Sequence, residues 1–242
     1  MEILAILGRG ICKLRESDPD GEVSSWHLTD DLEICTDIGA HLAVRVPVDD
    51  THPNCLVGGA QMNLEAGKAL ILQHAPQVVV CAYGDRSKYL KDIGGPSESQ
   101  VMTEALRTIL VGADLPRKPE LVIWDPARSK GFASNTRQEI LNIFDLAIEL
   151  GLTRIGFVTV GVHVPRAATF ITKHISTFPE YQHLSPVLFE SEEALLGSSK
   201  QWKPRVDVLR KSQAFSRNLA NEFKGTLAAL TGKYNAVKEQ AK

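Results

Sequence analysis

His163 follows an apolar run, precedes Pro165 and stands three residues before Arg166. An imidazole exchanges protons near neutral pH and a guanidinium holds anions, so this stretch could do acid/base work on an anionic ligand. Three more segments carry compatible groups. Gly8-Arg9-Gly10 lets backbone approach a ligand and adds a cation. Glu98-Ser99 opens a helix, where Glu98 complements the helix dipole or serves His163 as an orienting group or alternative proton acceptor. In Ser134-Asn135-Thr136-Arg137-Gln138-Glu139, Thr136 and Glu139 form a capping box, with Ser134 or Asn135 as alternative caps. Such a helix start also offers N–H groups and hydroxyls to an anion.

These groups need a common edge. Five short runs, Ile3–Leu7, Val78–Ala82, Leu121–Trp124, Ile155–Val160 and Val187–Phe189, are apolar throughout rather than alternating. Strands covered on both faces of a parallel sheet read this way. One-sided helical patterns lie between them, at Leu64–His74, Ser97–Val111, Arg137–Leu150 and from Pro165 to about His174. The alternation predicts right-handed βαβ units in a Rossmann-like, doubly wound, mainly parallel α/β sheet with helices on both faces.

Ligands of open α/β sheets bind beyond the carboxyl ends of the strands. The turns after the first four runs hold Arg9, Arg86, Arg128 and Arg166. Parallel strands would bring these arginines to one edge. A loop arginine often only meets solvent or a nearby carboxylate, but four at one edge favour an anion site. The catalytic candidates are His163 and Glu98. The ligand-binding candidates are Gly8, Arg9, Gly10, Ser99, Arg128, Ser134, Asn135, Thr136, Glu139 and Arg166.

Other chemistries lack their signatures. Lys13 stands where a G-x-G-x-x-G dinucleotide fingerprint needs glycine, and there is no G-x-x-x-x-G-K-[ST] loop or G-x-S-x-G elbow. The histidines show no metal-binding spacing, and Cys12, Cys35, Cys55 and Cys81 form no C-x-x-C pair. No metal site is therefore expected, and Cys81 reads as a core thiol. The 242 residues are 43% hydrophobic and 23% charged, with a net charge of -2. That balance suits a globular domain and argues against a nucleic-acid or membrane-surface partner. No secretion signal and no apolar run of about 18–20 residues is visible, so a cytoplasmic protein is expected.

Two regions depart from the strand–helix pattern. Residues 13–54 are polar and turn-rich, and hold a candidate strand pair, Leu32–Cys35 with Leu42–Val46, covering one end of the sheet. The division expected is one α/β domain over residues 1–203, with 13–54 an insert or edge subdomain, and a helical extension over 204–242. In that extension Phe215, Leu219, Phe223, Leu227, Leu230, Tyr234 and Val237 recur at helical steps, while Gly225 and Gly232 weaken the pattern. Such a helix packs across its own domain or pairs with a second copy in a homodimer. No internal repeat or low-complexity tract is present.

In order, Leu7-Gly8-Arg9-Gly10, Glu98-Ser99, Asn135-Thr136 with Glu139, and His163-Val164-Pro165-Arg166-Ala167 resemble the motifs of the DUF218 superfamily, the YdcF, SanA and ElyC group. The likeness covers the first strand and about residues 56 to 190. It implies a Rossmann-like fold with a polar pocket at the strand edge. Members are linked to cell-envelope metabolism, and YdcF to binding S-adenosylmethionine, which makes that molecule the cofactor the resemblance suggests. The chain departs from the pattern at Ala82-Tyr83-Gly84-Asp85, where many relatives have S-G-G, and at Thr136-Arg137-Gln138-Glu139, where T-x-E-N is common. No apolar run in these residues is long enough to match the transmembrane segment of the envelope members. The expectation is an enzyme acting on a phosphorylated, nucleotide-linked or sugar-linked small molecule. The alternative is a binding protein for a nucleotide-like ligand such as S-adenosylmethionine.

Overall fold

Alternate residues of the first apolar run face opposite ways, and both directions are buried. Leu4 and Ile6 join one core layer, whereas Ile3, Ala5 and Leu7 join the other. A strand therefore forms with no polar face, because helices cover the sheet on both sides. In the computed structural model, which describes residues 1–15, 23–37, 42–44, 49–86, 88–125 and 135–232, this strand is β1, Ile3–Ile6.

The chain then makes five short strands, β2 (Ile11–Arg15), β3 (Val23–Leu28), β4 (Glu33–Asp37), β5 (Leu42–Val44) and β6 (Cys55–Leu56). After them come α1 (Ala60–His74), β7 (Val78–Cys81), α2 (Lys88–Asp92), α3 (Glu98–Leu110), β8 (Glu120–Val122), α4 (Thr136–Glu149) and β9 (Arg154–Thr159). The last elements are α5 (Val164–Thr177), β10 (Ser185–Glu190), α6 (Ser191–Ser198), α7 (Lys203–Lys211) and α8 (Gln213–Leu230).

All five expected strands form one sheet, ordered β10-β9-β1-β7-β8, with every pairing parallel. It is Rossmann-like and doubly wound: the chain steps from β1 to β7 and β8, then crosses back to β9 and β10. The cores of α1 and α3 (Leu70, Ile71, Met102, Leu106) pack on one face. Those of α4 and α5 (Ile140, Phe144, Phe170, Ile171) pack on the other. Cys81 is buried in the first layer, and burial pushes its thiol up to about 12. Edge strand β8 is shorter than its apolar run because it pairs with β7 only over Val78–Val80. Trp124 lies past its end, where it packs edge-on against Tyr83.

The described residues of the polar region carry more strand than its composition suggests. The expected strand pair exists as β4 and β5, within a second five-stranded sheet, β3-β2-β5-β4-β6, that begins at Ile11 and ends at Leu56. The C-terminal extension is two helices instead of one. The break is at Ser212, whose hydroxyl accepts the Phe215 N–H and caps α8. Phe215 and Leu219 pack on the core, but Phe223, Leu227 and Leu230 are 56%, 63% and 65% exposed. The face of α8 turned inward instead carries Ala214, Glu222 and Ala229. Tyr234 and Val237 lie outside the described residues. Among the described residues, no helix is long and apolar enough to cross a membrane.

Candidate functional site

Strands β1 and β9 lie side by side, and the chain leaves them toward opposite halves of the sheet. At such a switch point neighbouring loops diverge and leave a crevice. Here it is a cavity of about 360 Å³, lined among others by Gly8, Arg9, Gly10, Glu98, Asn135, Thr136, Glu139, His163 and Arg166. Small-molecule sites span roughly 300–1,000 Å³.

The loop after β1 is fixed by two carboxyl groups. The Gly8 N–H donates to Glu139 Oε1 at 3.1 Å, and the Gly10 N–H to Glu98 Oε1 at 2.5 Å. Glu98 comes close because residue 8 has no side chain: a Cβ on Gly8 would lie 2.8 Å from Glu98 Oε1. Arg9 turns toward the second sheet, donating from Nε to the Gly58 carbonyl and from Nη2 to the Val57 carbonyl, each at 3.0 Å.

The loop after β9 meets the C-terminal helix. His163 is 3% exposed, with Nε2 3.1 Å from the Thr136 hydroxyl and Nδ1 3.3 Å from Glu222 Oε2. Arg166 Nε reaches the same Glu222 oxygen at 2.6 Å, and Arg9 Nη1 lies 3.5 Å from Oε1. One carboxylate thus serves two arginines and a histidine. Gly225 permits this close packing, since a Cβ there would come within 3.1 Å of the Arg166 guanidinium.

Burial sets the protonation states. It pushes Glu139 up to about 8, helped by the negative charge of Glu98, against the pull of the Gly8 N–H. Glu98 also rises through burial. His163 is driven down to about 4, burial outweighing Glu222. Burial acts upward on Glu222 too, but contact with His163 and the charges of Arg9 and Arg166 carry it below its ordinary value. At neutral pH the site therefore holds a protonated Glu139 and a neutral His163 beside an ionised Glu222.

Of the sequence candidates, Gly8, Arg9, Gly10, Glu98, Asn135, Thr136, Glu139, His163 and Arg166 share the cavity. Ser99 does not: its buried hydroxyl accepts the Trp124 N–H at 3.1 Å and ties α3 to the end of β8. Arg128 and Ser134 lie outside the described residues. Arg86 does not join the cavity lining, because Nη1 donates to the Gly95 carbonyl. Two of the four loop arginines are thus placed at the site. The orienting carboxylate of His163 is Glu222, not Glu98, which is engaged by Gly10. Glu222 escaped notice because it lies in a helix read for its apolar stripe. Cys12, Thr29, Glu33 and Asn218 also line the cavity and carried no motif in the sequence.

Compared with protein-family models, curated proteins and solved structures, the chain matches none.

Proposed function

We propose that this cavity is the active site of an enzyme acting on a phosphorylated, nucleotide-linked or sugar-linked small molecule. The observation that carries the reading is the convergence of Arg9 and Arg166 on the single carboxylate of Glu222, at the switch point of the sheet. Both guanidinium groups line the cavity, where they favour an anionic group on the ligand. Asn135 and Thr136, at the start of α4, add polar contacts. Membership of the DUF218 superfamily is part of the proposal and rests on the four motifs.

Acid/base work divides between two groups. Glu139, whose carboxyl group meets the backbone N–H groups of Gly8 and Tyr83, acts as the proton donor. Neutral His163 faces Glu222 through Nδ1–H and takes up a proton at Nε2 by way of the Thr136 hydroxyl. Ionised Glu222 stabilises the imidazolium that results.

A second reading, a non-catalytic site for a nucleotide-like ligand such as S-adenosylmethionine, is favoured by one feature. The Gly8 and Gly10 N–H groups already serve Glu139 and Glu98, so the loop resembles a partner for ribose hydroxyls or a positive group more than a phosphate cradle. In either reading, the exposed ridge of Phe223, Leu227 and Leu230 is the surface through which two copies would pair. Leu227→Asp should then yield a monomer in size-exclusion chromatography.

A thermal-shift screen with phosphates, nucleotides, sugar nucleotides and S-adenosylmethionine tests both readings. A ligand at one hundred times its Kd stabilises by about 2.7 kcal/mol. The enzyme reading expects a phosphorylated class to stabilise the wild type and not Arg166→Ala, and to be turned over by the wild type but not by Glu139→Gln. Stabilisation without product supports the binding module. No shift with any class sinks both.

A further inference from the structure

A second constellation sits on the wall of the same cavity, and the acid/base scheme makes no use of it. Cys12 on β2 and His27 on β3 are directly opposite each other in antiparallel register. Glu33 opens β4. Cys12 Sγ lies 3.2 Å from His27 Nε2 and 2.6 Å from Glu33 Oε1, and His27 Nε2 lies 3.9 Å from Glu33 Oε2. Among the described residues, these three bring their ligand atoms within 4.8 Å of one another. Cys12 and Glu33 are buried and line the cavity, and His27 is half-buried.

A cysteine, a histidine and a carboxylate also make a nucleophile with its base and orienting acid. The geometry differs. In such a relay the acid engages the ring nitrogen away from the nucleophile. Here the sulfur and the carboxylate both approach Nε2, so three donors surround one point instead of forming a chain. We propose that this point binds a divalent transition-metal ion of the zinc type, held by Cys12, His27 and Glu33 with its fourth position open to the cavity.

The donor chemistry selects the ion. Thiolate and imidazole suit zinc, whereas magnesium and calcium take oxygen. Zinc–ligand bonds of about 2.0–2.3 Å in tetrahedral geometry separate the donors by roughly 3.3–3.6 Å. The Sγ–Nε2 separation of 3.2 Å is already close to that range, and Sγ and Oε1, 2.6 Å apart, separate by less than about 1 Å as the ion enters. A thiolate and a carboxylate balance the dication, and binding releases the thiol proton. The Asp30 N–H donates to Glu33 Oε2 at 3.0 Å and fixes the carboxylate from outside. Three protein ligands plus an open position is the pattern of zinc that carries a water or a substrate atom.

Cobalt(II) reports such a site without any assay of turnover. Chelator-treated full-length protein is titrated with cobalt(II) and followed by absorption. The expected result is saturation at one ion per chain, with the intense visible bands of a tetrahedral ion and a near-ultraviolet sulfur-to-cobalt charge-transfer band, all displaced by zinc(II). Cys12→Ser should lose the charge-transfer band, Cys55→Ser should keep it, and His27→Ala and Glu33→Gln should each weaken binding at least tenfold. Folding of every variant is checked by circular dichroism. If Cys12→Ser fails to fold, X-ray absorption at the zinc edge of the wild-type protein decides, since the site requires one sulfur among nitrogen and oxygen neighbours. A wild-type protein that gives no charge-transfer band, a band that survives in folded Cys12→Ser, or a zinc shell without sulfur would overturn the proposal. None of these readouts depends on the anionic ligand, so this site and the proposed enzyme can fail separately.

Discussion

The two sheets are built on different terms. The central strands of the parallel sheet are apolar on both faces, and residues such as Ile3, Leu4, Phe157 and Val158 are inaccessible to water. The second sheet is richer in polar residues, as in Val23–Leu28, VSSWHL. Much of what joins it to the rest is polar. Arg205 on α7 reaches Asp31, with Nη2 2.7 Å from Oδ1. Arg217 on α8 donates to the carbonyls of Asp50 and His52 at 3.0 and 2.9 Å. Arg9 holds the carbonyls of Val57 and Gly58. Apolar burial thus shapes the edge that presents Gly8–Gly10 and His163, while Ile34 and Cys55 of the second sheet join the same core and these polar contacts add direction to the joint that holds Cys12, Thr29 and Glu33 beside it.

Four measurements sharpen that contrast. Phe157→Ala should cost about 3–5 kcal/mol in denaturant unfolding, because a ring packed against Phe144 is replaced by a cavity. Native-state hydrogen exchange should show both sheets losing protection together. Glu222→Gln keeps the volume but leaves Arg9 and Arg166 without their shared anion. The loss should be about 3 kcal/mol, at the low end for a buried ion pair because Arg166 is 23% exposed, and it should abolish the ligand-induced thermal shift.

The third concerns pH. Glu139 has a folded value raised from 4.5 to about 8, so the folded state keeps a proton the unfolded chain has lost. Its contribution is complete below 4.5 and is lost as pH rises through 8. His163 and His174, lowered from 6.5 to about 4, act oppositely, with stability lost as pH falls from 6.5 toward 4. Glu192, raised to about 7, acts like Glu139 at lower pH. Between pH 7 and 8 Glu139 dominates this set, and wild-type stability should fall there by about 1 kcal/mol. Glu139→Gln should flatten that fall, read as unfolding midpoints across the interval. The smallest effect is expected from Arg205→Ala. Breaking its pair with Asp31 should cost about 0.5–1 kcal/mol and speed exchange in β4, leaving β1 and β9 unchanged.

The parallel sheet was legible in the sequence because burial on both faces leaves a local mark, an unbroken apolar run. The loops after β1 and β9 were legible because each follows such a run. Glu222 was not, since only the packing of α8 against α5 and His163 reveals which side of that helix faces in. Cys12, His27 and Glu33 were equally hidden: cross-strand pairing brings together residues whose spacing matches no metal motif. The break at Ser212 lay in plain view as a helix cap but was masked by the longer apolar period running through it.

The most direct test of the central claim is the position of a bound ligand. A crystal soaked with whichever class stabilises the wild-type protein should show density between the β1 and β9 loops, with an anionic group within hydrogen-bond distance of Arg9 or Arg166. Density for the same ligand elsewhere on the molecule, with Arg9, Arg166 and Glu222 undisturbed, would contradict the account.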